Sequence, residues 1–406
     1  MPFTRTPTRG LPGDRITPFP SHRARLASPT RRFPLTIRPT GQRTYQFVVL
    51  FAAAAVLASL GLIMVLSASA AADAVSAGAS YDSWYSFKRH AMWLAAGVAA
   101  MLVTLRIQYR FWARVATPLL FVSIAMLVAV LVPGVGVQAN GATRWIGYGS
   151  LTIQPAEIAK LALVIFCAEL LGRPTRPAWN TQLVVRPVLA VFGVIAILLM
   201  LQPNLGTTLV CGAIVLALWF AAGVQARVLA ACGAAGAVLA ILLAVAAPYR
   251  FARLTGFLDP WGRRGNEGYQ VVQSIASVAH GGIAGVGIGA SRGKWGYLPF
   301  AYTDFIFAVI AEELGLVGSL MVIVLFLLIG IMGVLTAVRA PDRFGSLLAT
   351  GITAWLLIQA IVNIGVVLGV LPVTGVPLPF LSYGGSSLVV TMGTFGILLN
   401  VARHAR

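Results

Sequence analysis

Acidic residues are scarce in this sequence: eleven Asp and Glu stand against thirty Lys and Arg in 406 residues. Each carboxylate near an apolar run is therefore informative, because burying an ionised one is costly unless it is paired or faces water. Charge of either sign is also low, 10% against 58% hydrophobic residues, with a mean hydropathy of +0.87. That balance excludes a chain whose main solvent is water. The three cysteines, Cys167, Cys211 and Cys232, fall in separate apolar runs without CxxC spacing. They read as small core residues rather than a disulfide framework or metal knuckle. A cleavable secretory signal is missing too, since the first apolar run is followed by many others and acts as a retained span. The formal charge of +19 would suggest a nucleic-acid partner if it sat on one soluble surface. It does not: nine Arg precede Tyr45 and most other cations flank apolar runs, which excludes nucleic acid as the partner.

What is present is a succession of apolar runs. Residues 1–44 are rich in Pro, Ser, Thr and Arg, and the pattern predicts a disordered, basic cytoplasmic arm near anionic lipid. Residues 45–406 form the transmembrane domain, an all-α bundle of about ten spans. The expected spans are Phe47–Ser67, Ala91–Leu105, Val115–Val132, Pro155–Leu171, Val185–Leu201, Leu205–Ala222, Val228–Ala247, Phe305–Val338, Leu347–Leu371 and Ser387–Ala402. With both termini cytoplasmic, every short inside loop is basic, as the positive-inside rule requires. Nine cations are left outside, and six of them lie in one extracytoplasmic loop, residues 248–303. Their clustering points to an anionic ligand on that face. Within the loop, Tyr269, Val272, Ile275 and Ala279 share a helical face suited to an interfacial helix. Its Gly-x-Gly-x-Gly run, Gly285 to Gly289, follows no strand and is not a dinucleotide fingerprint. The last external loop, residues 371–387, has three prolines and is predicted to be re-entrant, presenting Ser382, Ser386 and Ser387 to a ligand.

The candidate chemistry follows from the few carboxylates. Glu157 and Lys160 are three residues apart just after Pro155, so they share a helix face, as a structural ion pair or a substrate contact. Asp304 stands where the cationic loop re-enters the membrane; it suits a helix N-cap and equally a base beside a bound phosphate. Glu312 and Glu313 point about 80° and 180° around the same helix from Asp304, so the three cannot share one small site.

Four separated motifs then carry a resemblance. They are Gln202-Pro203-Asn204-Leu205-Gly206-Thr207, Gly268-Tyr269-Gln270, Thr303 to Phe307 with Glu312-Glu313-Leu314-Gly315, and Pro377 to Ser387. In this order they resemble the SEDS family (shape, elongation, division and sporulation). Gly289 to Pro299 is similar to its division-type, FtsW-like branch more than to the RodA-like branch. Three positions depart from the family pattern: Tyr302 replaces a His, Asn204 an acidic residue and Ala156 a Ser.

The resemblance implies a peptidoglycan glycosyltransferase in the bacterial cytoplasmic membrane. It would polymerise lipid II on the outer face during cell division, with a class B penicillin-binding protein and other divisome proteins as partners. The family's essential aspartate falls on Asp304, expected to take the proton of the acceptor 4-hydroxyl as that oxygen attacks C1 with inversion. A lipid pyrophosphate leaves as a stabilised anion, so cations are needed in place of a second carboxylic acid. Arg144, Arg250, Arg253, Arg292 and Lys294 are the expected contacts, with no tightly bound cofactor beyond a divalent cation such as Mg or Mn. The rival reading is a transporter that flips the lipid-linked precursor.

Overall fold

A computed structural model describes residues 44–76, 84–139, 142–148, 151–174 and 181–405; the expected arm lies outside the described residues apart from Thr44. Long apolar runs become helices, even across Pro118 and Pro187, because hydrocarbon offers backbone groups no partners but their own. The bundle comprises α1 (Tyr45–Ser76), α2 (Tyr85–Arg106), α3 (Phe111–Leu131), α4 (Pro155–Gly172), α5 (Thr181–Leu201), α6 (Leu205–Ala222), α7 (Ala226–Val245), α10 (Ile306–Val338), α11 (Arg343–Val367) and α12 (Ser386–His404). Two shorter helices, α8 (Pro248–Leu258) and α9 (Tyr269–Gly281), lie between α7 and α10. By length and hydropathy, eight helices among the described residues are able to cross a membrane. The other two expected spans fall on α2 and α4, which are helical but carry Lys88, Arg89 and Arg106, and Glu157, Lys160 and Glu169. The chain is a multi-pass membrane protein.

Close helix packing relies on small residues, as it does where lipid removes the hydrophobic drive between helices. A Cβ on Gly396 of α12 would strike Thr104 Oγ1 and Met101 O of α2, and Thr104 donates to Gly393 O at 2.8 Å. By contrast, α7 buries none of its residues against the rest of the chain.

Helix α10 is broken at Gly315, whose φ of +66° and ψ of −160° suit glycine alone. The break frees backbone groups, and the glycine-rich segment after α9 satisfies them. Val286 and Gly287 N–H donate to the Glu312 and Glu313 carbonyls at 3.0 Å, while Leu316 N–H reaches Gly282 O at 2.9 Å. The run that is no nucleotide motif is thus a backbone patch on a broken helix, close enough that a Cβ on Gly281 would collide with Ala311 O. Helix α9 packs on α10 and buries Val271, Ser274 and Ser277, with Ser274 Oγ donating to Val367 O of α11 at 2.7 Å, and Val272 of the face expected to lie on lipid is itself buried.

Two further features complete the fold, a sheet that was not anticipated and the re-entrant loop that was. A small antiparallel sheet, β1 (Gly136–Ala139), β2 (Ala142–Tyr148) and β3 (Leu151–Ile153), joins α3 to α4, with Val137 opposite Trp145 and Thr152 opposite Gly147. The irregular segment after α11 packs into the bundle: Val376, Leu378, Phe380 and Leu381 are buried, and a Cβ on Gly61 of α1 would lie 2.6 Å from Phe380 O. Side chains of α11 hold it there, Gln359 Nε2 donating to Pro377 O at 2.9 Å and Asn363 Nδ2 to Val376 O at 2.8 Å.

Candidate active site

The N-terminal turns of α4, α6, α10 and α12 meet around one cleft, walled also by α2, β2, α8 and the segment 373–385. Four helix starts bring the positive ends of their dipoles to one place, a setting suited to an anion. Arg89, Arg144 and Arg253 add three guanidinium groups to its lining.

Each wall has a local cause. Pro155 starts α4, and the i,i+3 spacing turns Glu157 and Lys160 into the cleft with 2.9 Å between Oε1 and Nζ. Both are buried. Lys160 Nζ also donates to Gln359 Oε1 at 3.0 Å and lies 4.8 Å from the centre of the Trp355 ring. The pair is therefore tied through Gln359 to the segment that closes the cleft. Asn204 caps α6, its Oδ1 accepting from Thr207 N–H at 3.4 Å. Arg144 on β2 donates from Nε to Gln202 O at 3.1 Å and from a terminal nitrogen to Pro203 O, fixing the turn before α6. Arg253 on α8 reaches Val373 O at 3.3 Å. Ser386 Oγ accepts from Gln154 N–H at 3.0 Å, joining α12 to α4.

Asp304 lies in the turn before α10, partly exposed to the cleft. Its backbone carbonyl accepts from Asn363 Nδ2 at 2.7 Å, and a Cβ on Gly375 would stand 3.5 Å from its Oδ2. Gly375 has φ +69°, a left-handed conformation that favours glycine where the loop turns beside the carboxylate. Burial pushes the carboxyl up to about 6, against the opposing pull of Arg253 and Arg144. The carboxyl is thus held above the ordinary carboxylate range beside two cations.

Of the residues expected at the site, Asp304, Arg144, Glu157, Lys160, Arg253, Ser386 and Ser387 line the cleft. Four others are placed elsewhere. Lys294 sits in a buried ion pair with Glu313, 3.1 Å between Nζ and Oε1, and also donates to Ser67 Oγ and Gly289 O. Arg292 uses its backbone N–H to bind Glu312 Oε1 at 3.0 Å, and its side chain is exposed outside the lining. Arg250 donates to Leu243 O at 2.8 Å at the end of α7. Ser382 Oγ accepts from Leu378 N–H at 2.8 Å, a turn within the loop. For Lys294, Arg250 and Ser382 the reason is that other backbone, hydroxyl or carboxylate groups engage their side chains. Missed at the site were Arg89, Trp93, Gln154, Asn204, Gln270 and Tyr383. Arg89 was legible as an unexplained outside cation, Asn204 and Gln270 as members of compact motifs. Among the described residues no group of three or more His, Cys, Asp or Glu is placed to hold a metal ion.

Comparison with known proteins shows the family. The cell cycle protein family of FtsW, RodA and SpoVE matches residues 47–406. Stage V sporulation protein E of Bacillus subtilis (strain 168) is 39% identical over 368 residues, 90% of this chain and 100% of that protein. The probable peptidoglycan glycosyltransferase FtsW of Mycobacterium tuberculosis (strain ATCC 25618 / H37Rv) is 40% identical over 404 residues, 98% of this chain and 75% of that one. Among solved structures, a chain from a peptidoglycan synthase complex that coordinates polymerization and crosslinking superimposes with a TM-score of 0.73 at 32% identity, covering 87% of this chain and 96% of that one. The rod shape determining protein RodA of Thermus thermophilus gives 0.64 at 29% identity, covering 87% and 95%. With its fold, its motifs and nearly its whole length shared, this chain belongs to the FtsW/RodA/SpoVE family, the SEDS proteins.

Proposed function

We propose that the chain is a division-type peptidoglycan glycosyltransferase that extends glycan strands from lipid II, with Asp304 as its base. The observation that carries this reading is the position of one carboxylate with a raised pKa in a cleft ringed by Arg89, Arg144, Arg253 and four helix N-termini. In the step, Asp304 takes the proton of the acceptor 4-hydroxyl while that oxygen forms the bond to C1 of the donor sugar. The C1–O bond to the lipid diphosphate breaks on the opposite face, its electron pair leaving with the phosphate. The anomeric centre inverts. The arginines and helix ends stabilise the departing diphosphate, which needs no proton.

The orientation fits this chemistry. Arg110, Arg173, Arg339, Arg343 and Arg403 lie at the bundle end away from the cleft, where cytoplasmic loops hold their cations. The cleft then opens on the outer face of the cytoplasmic membrane, where a class B penicillin-binding protein would crosslink the product. A flippase reading is less well supported, since a carrier needs its polar groups near the midplane with access from both sides, and here they gather at helix N-termini.

The testing experiment is reconstitution of the purified chain in lipid vesicles with lipid II, with and without a class B partner, scoring glycan strands and lipid movement separately. Strands are expected; lipid movement without strands would refute the proposal. A base ionising at about 6 must also be unprotonated to act. The logarithm of kcat/KM should rise with unit slope below pH 6 and level above it. A rate flat down to pH 4.5 would exclude Asp304 as the base.

A further inference from the structure

Two residues that line the cleft each carry a buried polar atom without a partner among the described residues. Glu157 is 2% exposed; its Oε1 is held by Lys160, while Oε2 has no hydrogen-bond partner among the described residues. Asn204 is 6% exposed; its Oδ1 caps α6, while Nδ2 likewise has none. The side chain cannot turn to exchange these atoms without facing the Thr207 N–H with another donor. Both residues line the cleft. A buried polar atom left unmatched costs free energy, so this pair requires an explanation.

The pair has a defined complement. One atom is an acceptor, from α4, and the other a donor, from α6. A trans secondary amide presents an N–H on one edge and a C=O on the other, so it answers both from between the two helices. A phosphate would be repelled by Glu157. Thr207 and Val210 follow Asn204 at three-residue steps and line the same cleft, so Val210 offers an apolar wall to a methyl group.

Resting on the proposed function, we infer that Glu157 Oε2 and Asn204 Nδ2 together read a secondary amide of the lipid-linked substrate. Two sources carry that chemistry, the acetamido groups of the sugars and the amides of the stem peptide. The assignment is specific to this chain, because an acid at position 204 would cap α6 equally well but could not donate.

The test is binding by the purified full-length chain in nanodiscs to three lipids: lipid II, an analogue whose acetamido groups are replaced by hydroxyls, and an analogue whose stem is cut back to its first residue. Asn204→Asp and Asn204→Ser both keep the cap. Each is expected to weaken lipid II binding about three- to tenfold, the loss of one hydrogen bond. Against the analogue that lacks the recognised amide, the variants and the wild type should bind alike, which identifies the source. Wild-type affinity in both variants, or the same ratio for all three lipids, would overturn the inference. Binding does not require turnover, so coupling in a chain that makes no glycan would refute the catalytic reading and leave this one standing.

Discussion

Replacing Asp304 with Asn should lower lipid II polymerisation by about 10² to 10⁴ while leaving the protein at least as stable as the wild type. The loss follows from removing the base from a cleft whose cations and helix ends remain. The stability follows from the sign of the shift. Burial raises the Asp304 pKa from 3.8 to about 6, so the folded state binds the proton more tightly than the unfolded chain. The stability gained from that proton is complete below pH 3.8 and is lost as pH rises through 6. At pH 7 to 8 the wild type therefore carries an ionised, partly desolvated carboxylate, and the neutral amide of Asp304→Asn removes that burden. Thermal unfolding of the two purified proteins should give the variant the higher Tm at pH 8, with the gap closing toward pH 4. Full polymerisation by folded Asp304→Asn would end the mechanism. Lost activity together with a lower Tm at pH 8 would instead mean that the ionised carboxylate is a net stabilising group, though not as a cap, since Phe305 holds the N-cap position of α10 without a side-chain bond.

Much of this was legible in the chain because a bilayer leaves few solutions. Apolar runs of membrane length could only be helices, and they are. Asp304 stood out because acidic residues are scarce and it lies where a cationic loop meets an apolar run. The cations themselves were legible only as a cluster. Which of Arg250, Arg253, Arg292 and Lys294 faces the cleft depends on long-range partners, such as Ser67, which meets Lys294 across 227 positions. Glu312 and Glu313 were correctly separated from Asp304 by helix geometry, but the break at Gly315 that turns their carbonyls toward the glycine run has no periodic signature. The strands of three to seven residues between α3 and α4 are likewise too short and too rich in glycine to show alternation.

The same network yields the second large effect. Lys294 and Glu313 are almost completely buried, and Glu313 accepts from Ser67 Oγ at 2.7 and 2.8 Å and from Ser291 N–H at 3.3 Å. Beside them Glu312 accepts from Ser291 Oγ at 2.5 Å, His280 Nδ1 at 3.0 Å and the backbone of Arg292 and Gly293. These bonds pin the segment 289–294 to α1 and to the first turns of α10, the helix that Asp304 precedes. Lys294→Met removes one charge and strands the other, which costs about 3 to 5 kcal/mol when a buried pair is broken from one side. Adding Glu313→Gln removes the stranded charge and keeps its hydrogen-bonding shape, so the double variant should recover most of that loss. Chemical unfolding of the wild type, both single variants and the double variant measures the coupling. Equal stability of Lys294→Met and the wild type would mean that the pair is solvated. Unlike Asp304→Asn, Lys294→Met should lose polymerisation and stability together, because it loosens the helix start that holds the base rather than removing the base. Activity restored in the double variant along with its Tm would establish that Lys294 acts through position and not by touching the diphosphate.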